Sequence, residues 1–322
     1  MNKICIYINK NAANYSRSVK SELQSLLFRS ELTFKNLLEI KSIKDSIADD
    51  LKNETDLVIA IGGDGTINSI FPHLLGTGII FLPLPYGTAN DLASSLGFKR
   101  NLKQATSSIR NDLKKEIYAI QVNDKFFITT GGIGLGSGTL ENIQAARQKS
   151  KIFTKAMKLI GDSIYSLFAG FQIISSSPNF LSLEVESECG FNKKLNASAL
   201  IVSNQELLGG KLLISPGANH SENSINLTIF SYPKKRLLLK AILRMLRGLK
   251  AKENDTSLTR LKSKAVKINV LSPASTSFFG DGEIILSKEK QYQLKIVEKK
   301  LKVLYYDTNE MNRDKTYEVY LK

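Results

Sequence analysis

Apolar residues along the first hundred positions fall into two rhythms that take turns. Lys3 to Ile8 has Ile4, Ile6 and Ile8 on alternate positions and predicts a strand; Ser16 to Phe28 carries Val19, Leu23, Leu26 and Leu27 at helical spacing. Leu37 to Ile40 predicts a short strand, and Ile43, Ile47 and Leu51 again lie one helical turn apart. Leu57 to Ile61 is an unbroken apolar run, followed by an expected helix from Thr66 to Leu75, a strand from Ile79 to Leu82 and a helix from about Ala89 to Leu96. Strand and helix alternating in this way predict βαβ units, hence an α/β domain on a parallel sheet.

After Lys114 the helical rhythm gives way. Glu116 to Val122, Phe126 to Thr130, Leu181 to Glu186, Leu195 to Val202, Lys211 to Ile214 and Ile225 to Phe230 predict strands separated by short turns. Ala265 to Val270, Glu283 to Leu286, Gln291 to Val297 and Leu301 to Tyr306 continue the series. The expectation is an all-β second domain interrupted by two helical insertions. No Pro/Gly/Ser-rich linker marks the border, which is placed near Asn123, giving domains 1–123 and 124–306.

Two loops of the first domain carry chemistry. Leu57 to Ile61 breaks into Gly62, Gly63, Asp64, Gly65 and Thr66. Glycines around one aspartate let the chain turn sharply and bring its N–H groups close to an anion, as phosphate handling requires. The same order of strand, glycine turn and helix also serves merely to turn a corner. The second loop, Pro83 to Asp91, again lies between a strand and a helix, with Gly87 permitting close approach and Thr88, Asn90 and Asp91 offering polar contacts. In open parallel sheets ligands bind outside the carboxyl ends of the strands, where both loops fall. A third glycine-rich stretch, Gly131 to Gly138, lacks the dinucleotide spacing and reads either as a bent strand or as a close approach to substrate.

Composition narrows the partners. In 322 residues, 45 Lys+Arg against 30 Asp+Glu give a net charge of +15, which calls for an anionic partner. Without Trp, and without basic and aromatic residues interleaved, nucleic acid is not expected. Apolar runs stop short of membrane-spanning length, and the first ten residues lack the layout of a signal peptide, so a cytoplasmic protein is expected. Cys5 and Cys189 form no zinc or disulfide pattern, and His73 and His220 are too few for a histidine cluster, so a bound metal would have oxygen ligands.

Gly62-Gly63-Asp64-Gly65-Thr66-Ile67-Asn68, then Pro85 to Ala93, and far downstream Asp281-Gly282-Glu283 resemble the diacylglycerol kinase catalytic family. That family includes diacylglycerol kinases, sphingoid-base kinases and bacterial soluble lipid kinases. Ile201 to Asn204 with Gly209 and Gly210, and Ile214 to Ala218, agree with it in order. The first pentapeptide is shared with NAD kinases; the later loop and the distant Asp-Gly-Glu are more specific.

The resemblance implies an N-terminal α/β nucleotide domain, NAD kinase-like, and a C-terminal β-sandwich, with residues 307–322 returning to the first domain. It implies that Gly62, Gly63, Gly65 and Thr66 cradle the phosphates of ATP, that Gly87, Thr88 and Asn90 line the nucleotide cleft, and that Asn9 contacts the nucleotide. Where the family has Pro and Gly soon after that asparagine, this chain has Lys10-Asn11-Ala12-Ala13. Where bacterial members have an Asp-Gly pair tied to a structural Mg²⁺, it has Glu222 and Asn223.

Phosphoryl transfer needs the γ-phosphate placed, its charge neutralised and a base for the acceptor hydroxyl. Asp64, Asp281 and Glu283 are the catalytic candidates, with Asp64, Asp281 and Glu222 as candidate metal ligands. Asp64 and Glu283 both remain open as the base, in a centre drawn from both domains. The reading is an ATP- and Mg²⁺-dependent kinase acting on a lipid hydroxyl. Its rivals are a non-catalytic lipid-binding or regulatory protein of the same fold, and NAD kinase.

Access to lipid has a sequence signal too. From Pro233 to Lys252, Lys234, Lys235, Arg236, Lys240, Arg244, Arg247, Lys250 and Lys252 occur without an acidic residue, beside Leu238, Ile242, Met245, Leu246 and Leu249 at helical spacing. A second basic segment, Arg147 to Lys158, precedes an apolar stretch. Each reads as a helix on an anionic membrane surface or as an ordinary helix with a solvated basic face. Peripheral membrane association is expected; self-association into a homodimer stays open.

Overall fold

The computed structural model describes residues 1–88, 90–134, 180–249 and 255–307. The basic segment 147–158, Gly136, Gly138 and residues 308–322 lie outside the described residues. The chain divides into two compact units, Met1–Glu116 with the described residues from Leu301 on, and Ile117–Lys300.

The first unit is the expected α/β domain. Its sheet has the order β2-β1-β3-β4-β20-β5, formed by β1 (Lys3–Ile8), β2 (Glu31–Asn36), β3 (Leu57–Gly62), β4 (Ile80–Pro85), β5 (Lys114–Ile117) and β20 (Leu301–Leu304). β1 pairs in parallel with β2 and β3, and β4 in parallel with β3 and β20. Every residue of β3 is buried, which explains why it reads as a continuous apolar run rather than an alternating one. Four helices of this unit are α1 (Ser18–Leu26), α2 (Ile43–Lys52), α4 (Asp91–Ser95) and α5 (Leu102–Arg110); Ser42 and Asn101 cap α2 and α5 through their side chains.

Three expectations change here. The second strand is Glu31–Asn36, not Leu37 to Ile40: it is an edge strand whose mixed sequence gives a weak apolar signal, and Leu38 beyond it is 59% exposed. The helix α3 spans Asp64–Ile70 and passes into a single 3₁₀ turn, Phe71–His73, because Pro72 has no N–H to continue the ladder. Leu301–Leu304, expected in the all-β part, lies in the parallel sheet between β4 and β5, so the chain returns to the first unit. A strand this short carries no signal of which sheet it will join.

The second unit is a sandwich of two antiparallel sheets. One has the order β10-β9-β16-β19-β6-β7: β6 (Ile120–Val122), β7 (Lys125–Phe127), β9 (Leu181–Ser187), β10 (Asn192–Ala197), β16 (Ala265–Ser272) and β19 (Gln291–Ile296). The other has the order β15-β14-β11-β8-β17-β18: β8 (Thr130–Gly134), β11 (Ala199–Ser203), β14 (Ile225–Phe230), β15 (Leu258–Ser263), β17 (Thr276–Gly280) and β18 (Glu283–Glu289). Alternate residues of β9 and β19 face inward, so Leu183, Val185, Tyr292 and Leu294 meet Leu200, Leu227 and Phe278 of the opposite sheet in one core. A second cluster, containing Phe230, Tyr232, Ile201 and Ile214, packs under α6 (Lys235–Leu246). A two-stranded ribbon, β12 (Leu207–Leu208) with β13 (Leu212–Leu213), completes this unit's described strands.

Candidate active site

In the first sheet β1 leads to β2 on one side while β3 and β4 lie on the other, so the strand order reverses between β1 and β3. Ligands of open α/β sheets bind outside the carboxyl ends at such a point. The structure places Asn9 immediately after β1 and Gly62 at the end of β3. Asn9 N–H donates to the carbonyl of Ile61 at 3.0 Å, and its Nδ2 donates to Thr66 Oγ1 at 3.0 Å. The switch point is bridged by two residues singled out from sequence.

The glycines are needed for contact rather than flexibility. A Cβ on Gly62 would collide with the folded-back side chain of Thr66, which is buried. A Cβ on Gly63 would lie 3.0 Å from the Cα of Gly87, and one on Gly87 would strike the Cα of Gly63. The two loops therefore touch through backbone, with the Tyr86 N–H donating to the Gly62 carbonyl at 2.9 Å.

Asp64 ties the loops together chemically. Its Oδ2 accepts from the N–H of Asn90 at 2.8 Å and its Oδ1 from the N–H of Asp91 at 2.9 Å, so one carboxylate caps the start of α4 from across the cleft. Asn90, at φ +59°, closes the second loop on itself: its Oδ1 accepts from the Gly87 N–H at 2.8 Å and its Nδ2 donates to the Gly87 carbonyl at 3.0 Å. Gly65 and Thr66 sit in the first turn of α3, and Thr88 lies in the loop between Gly87 and Asn90. One participant was missed. Asn14 donates from Nδ2 to the Gly87 carbonyl at 3.0 Å and from its backbone to the Tyr86 carbonyl at 3.1 Å. The run Asn9, Asn11, Asn14 just after the first strand was its available signal.

In the second unit the Asp-Gly-Glu motif is a two-residue hairpin. Gly280 pairs with Glu283, and Asp281 and Gly282 between them have φ of +48° and +81°, the left-handed pair that a type I′ turn requires. The motif's carboxylates have different surroundings. Asp281 is buried, and its carboxylate accepts from the N–H groups of Ile128 (2.9 Å) and Thr129 (2.7 Å) and from the Thr129 hydroxyl (2.6 Å). Burial, the largest influence, pushes its pKa up; the hydroxyl and amide hydrogen bonds pull the other way. Glu283 is exposed at the start of β18.

The metal candidates fare differently. Glu222 Oε2 receives Lys262 Nζ at 2.7 Å, so an ammonium stands where a divalent ion would need its ligand. Asp281 is enclosed by donors. Among the described residues no three His, Cys, Asp or Glu side chains converge as a metal cage. Glu222 and Asp281 thus do not fit a resident metal. Asp64 does fit contact with an ion carried by a nucleotide, since a carboxylate oxygen that accepts an amide N–H can also ligate a cation. No described helix is long and apolar enough to cross a membrane.

Residues 3–122 match the model of the diacylglycerol kinase catalytic domain. Over that stretch the chain resembles a diacylglycerol kinase catalytic domain. It is 25% identical over 259 residues to the diacylglycerol kinase of Bacillus subtilis, covering 75% of this chain and 81% of that one. A putative diacylglycerol kinase from Bacillus anthracis superposes with a TM-score of 0.72 at 18% identity, covering 94% of this chain and 97% of that one, which speaks for the fold. An NAD kinase from Archaeoglobus fulgidus, solved with ATP, reaches a TM-score of 0.51 at 11% identity, with 97% and 96% coverage. The resemblance read from the sequence and the expected fold class both hold, and the enzyme class is that of lipid kinases.

Proposed function

We propose that this diacylglycerol kinase-like chain transfers the γ-phosphoryl group of Mg-ATP to a hydroxyl of a membrane lipid of the diacylglycerol or sphingoid-base kind. The observation that carries this reading is the locked pair of loops at the switch point, where Gly63 meets Gly87 and Asp64 holds Asn90 and Asp91. Such an arrangement holds backbone N–H groups in place before the nucleotide arrives, as charge stabilisation in phosphoryl transfer demands. Asn9, Gly62, Gly63, Gly65 and Thr66 take the phosphates; Gly87, Thr88 and Asn90 form the facing wall. Asp64 would hold the Mg²⁺ that accompanies ATP, which would neutralise phosphate charge.

The lipid oxygen attacks the γ-phosphorus, the bond to ADP breaks, and the hydroxyl proton passes to a carboxylate. Glu283, exposed at the start of β18, takes that role ahead of Asp64, whose carboxylate braces the nucleotide loops. Asp281 acts through Glu283, by anchoring the hairpin that presents it. The lipid is met at an anionic membrane surface by the basic segment Lys234–Lys252, placing the enzyme in the cytoplasm and at the membrane face.

Radiolabelled ATP offered with a panel of diacylglycerol, sphingoid base and phosphatidylglycerol, and separately with NAD, tests the reading. A labelled lipid product is expected. Label on NAD with none on lipid, or no turnover on any acceptor, overturns it.

A further inference from the structure

The apolar residues of α6 do not form one stripe. Leu238, Ala241 and Met245 are buried against Phe230, Tyr232 and Ile201, and this inward face is sufficient to hold the helix on the sandwich. Leu237, Leu243 and Leu246, with Leu249 just past the end of the helix, point elsewhere, 45%, 47%, 41% and 47% exposed. Scattered exposed leucines are ordinary, but three on one short helix with a fourth just beyond it are not.

The ribbon β12–β13 lies beside them. Leu208 and Leu212 pack on the same cluster as Leu239 and Ile242 of α6, and the helix rests against β13. The ribbon's tip is Gly209-Gly210, both left-handed, and a Cβ on either would meet nothing within 4 Å. Leu207 next to it is 38% exposed. Helix and hairpin therefore make one apolar ridge.

The rim of the ridge is cationic. Arg236 and Lys240 are exposed on the helix, Lys234 and Arg247 at its two caps and Lys211 at the hairpin tip, and the segment from Pro233 to Lys252 has no acidic residue. Long basic side chains laid beside leucines can keep their charged ends at phosphate level while the leucines go deeper.

From this we infer that the ridge formed by the outward face of α6 and the diglycine hairpin inserts into an anionic lipid bilayer, with Leu207, Leu243 and Leu246 entering the acyl region. This deepens the membrane part of the proposed function and rests on it for the source of the partner. Charge alone would give adsorption that salt removes; inserted leucines leave binding that salt weakens but does not abolish.

The chain has no tryptophan, so Leu207→Trp and Leu246→Trp each introduce a single reporter. With vesicles of mixed phosphatidylglycerol and phosphatidylcholine, both are expected to shift their emission to the blue, and wild-type protein is expected to co-sediment and to stay partly bound in high salt. Leu243→Glu combined with Leu207→Glu should weaken sedimentation about tenfold or more. That variant should keep wild-type melting and wild-type phosphorylation of detergent-dispersed lipid. Unshifted emission from both tryptophans, or unchanged sedimentation of the double variant, overturns insertion. So does a concentration-dependent dimer that covers the ridge and ignores vesicles. Vesicle insertion without any lipid phosphorylation would instead sink the kinase reading and leave this one standing.

Discussion

The carboxylate of Asp64 spans the two glycine loops to hold the backbone of Asn90, with a second bond to Asp91, at 2.8 and 2.9 Å. A residue that the sequence offers as a metal or base candidate is also the brace of the nucleotide site. Asp64→Asn keeps one accepting oxygen and turns an NH₂ against the other amide. Stability should fall by about 1–2 kcal/mol, as for a lost helix cap, and turnover by about a hundredfold or more. Denaturant melts and initial rates measure the two; a wild-type rate in this variant removes Asp64 from the mechanism.

Contact between Gly63 and Gly87 makes a more selective lesion possible. Gly87→Ala puts a methyl into the Gly63 Cα and against Asn90 Oδ1, so the loops must separate. Gly78→Ala serves as a control, since its Cβ would meet nothing within 4 Å although its φ of +85° costs some strain. ATP affinity should drop at least about tenfold in Gly87→Ala and hold in Gly78→Ala. Equilibrium binding of ATP without lipid checks this.

Glu222 is served by Lys262, and that has a consequence for metal removal. With the ammonium already paired at 2.7 Å, the folded protein without nucleotide should melt at the same temperature in Mg²⁺ or in chelator. The pair is half-exposed on both sides, so Lys262→Met should cost no more than about 1 kcal/mol. A melting temperature that rises with Mg²⁺ in the wild-type protein would show a metal on Glu222 after all.

The two thiols should behave oppositely. Cys5 is buried in β1, and burial, reinforced by the nearby Asp50 charge, pushes its pKa from 9.0 up to about 12. Because the folded value is the higher one, the contribution is fully present below pH 9 and is lost as pH rises toward 12. A thiol reagent at neutral pH should modify exposed Cys189 and leave Cys5 until urea unfolds the first unit. Urea midpoints should decline between pH 9 and 12. Two fast thiols in the native protein would contradict the burial.

What could be read in advance follows from where the information lies. β3 announced itself because all six residues are buried, and the loop after it because glycine is the residue that permits backbone contact. Leu301–Leu304 was legible as a strand and illegible as a member of the parallel sheet, since pairing partners are chosen in three dimensions. The Asp-Gly-Glu motif showed two carboxylates, yet not that one faces the amides of Ile128 and Thr129, residues over 150 positions away. The leucines of α6 showed helical period, but two apolar faces overlap in a linear pattern and separated only when the sandwich claimed one.

That division of the motif gives the sharpest pair of variants. Glu283→Gln alters an exposed side chain and should leave stability within about 0.5 kcal/mol of wild type while turnover falls by about a hundredfold or more. Asp281→Asn removes the charge that the N–H groups of Ile128 and Thr129 and the Thr129 hydroxyl are arranged around, and its NH₂ faces donors. It should lose about 2–3 kcal/mol of stability and also lose turnover, because the hairpin carrying Glu283 is no longer anchored. The two lesions separate by pH: the remaining activity of Asp281→Asn should keep the acid limb of the wild-type rate profile, and that of Glu283→Gln should lack it. If Asp281→Asn instead removes that limb while Glu283→Gln retains it, the proton acceptor is Asp281 and the roles assigned to the two carboxylates are reversed.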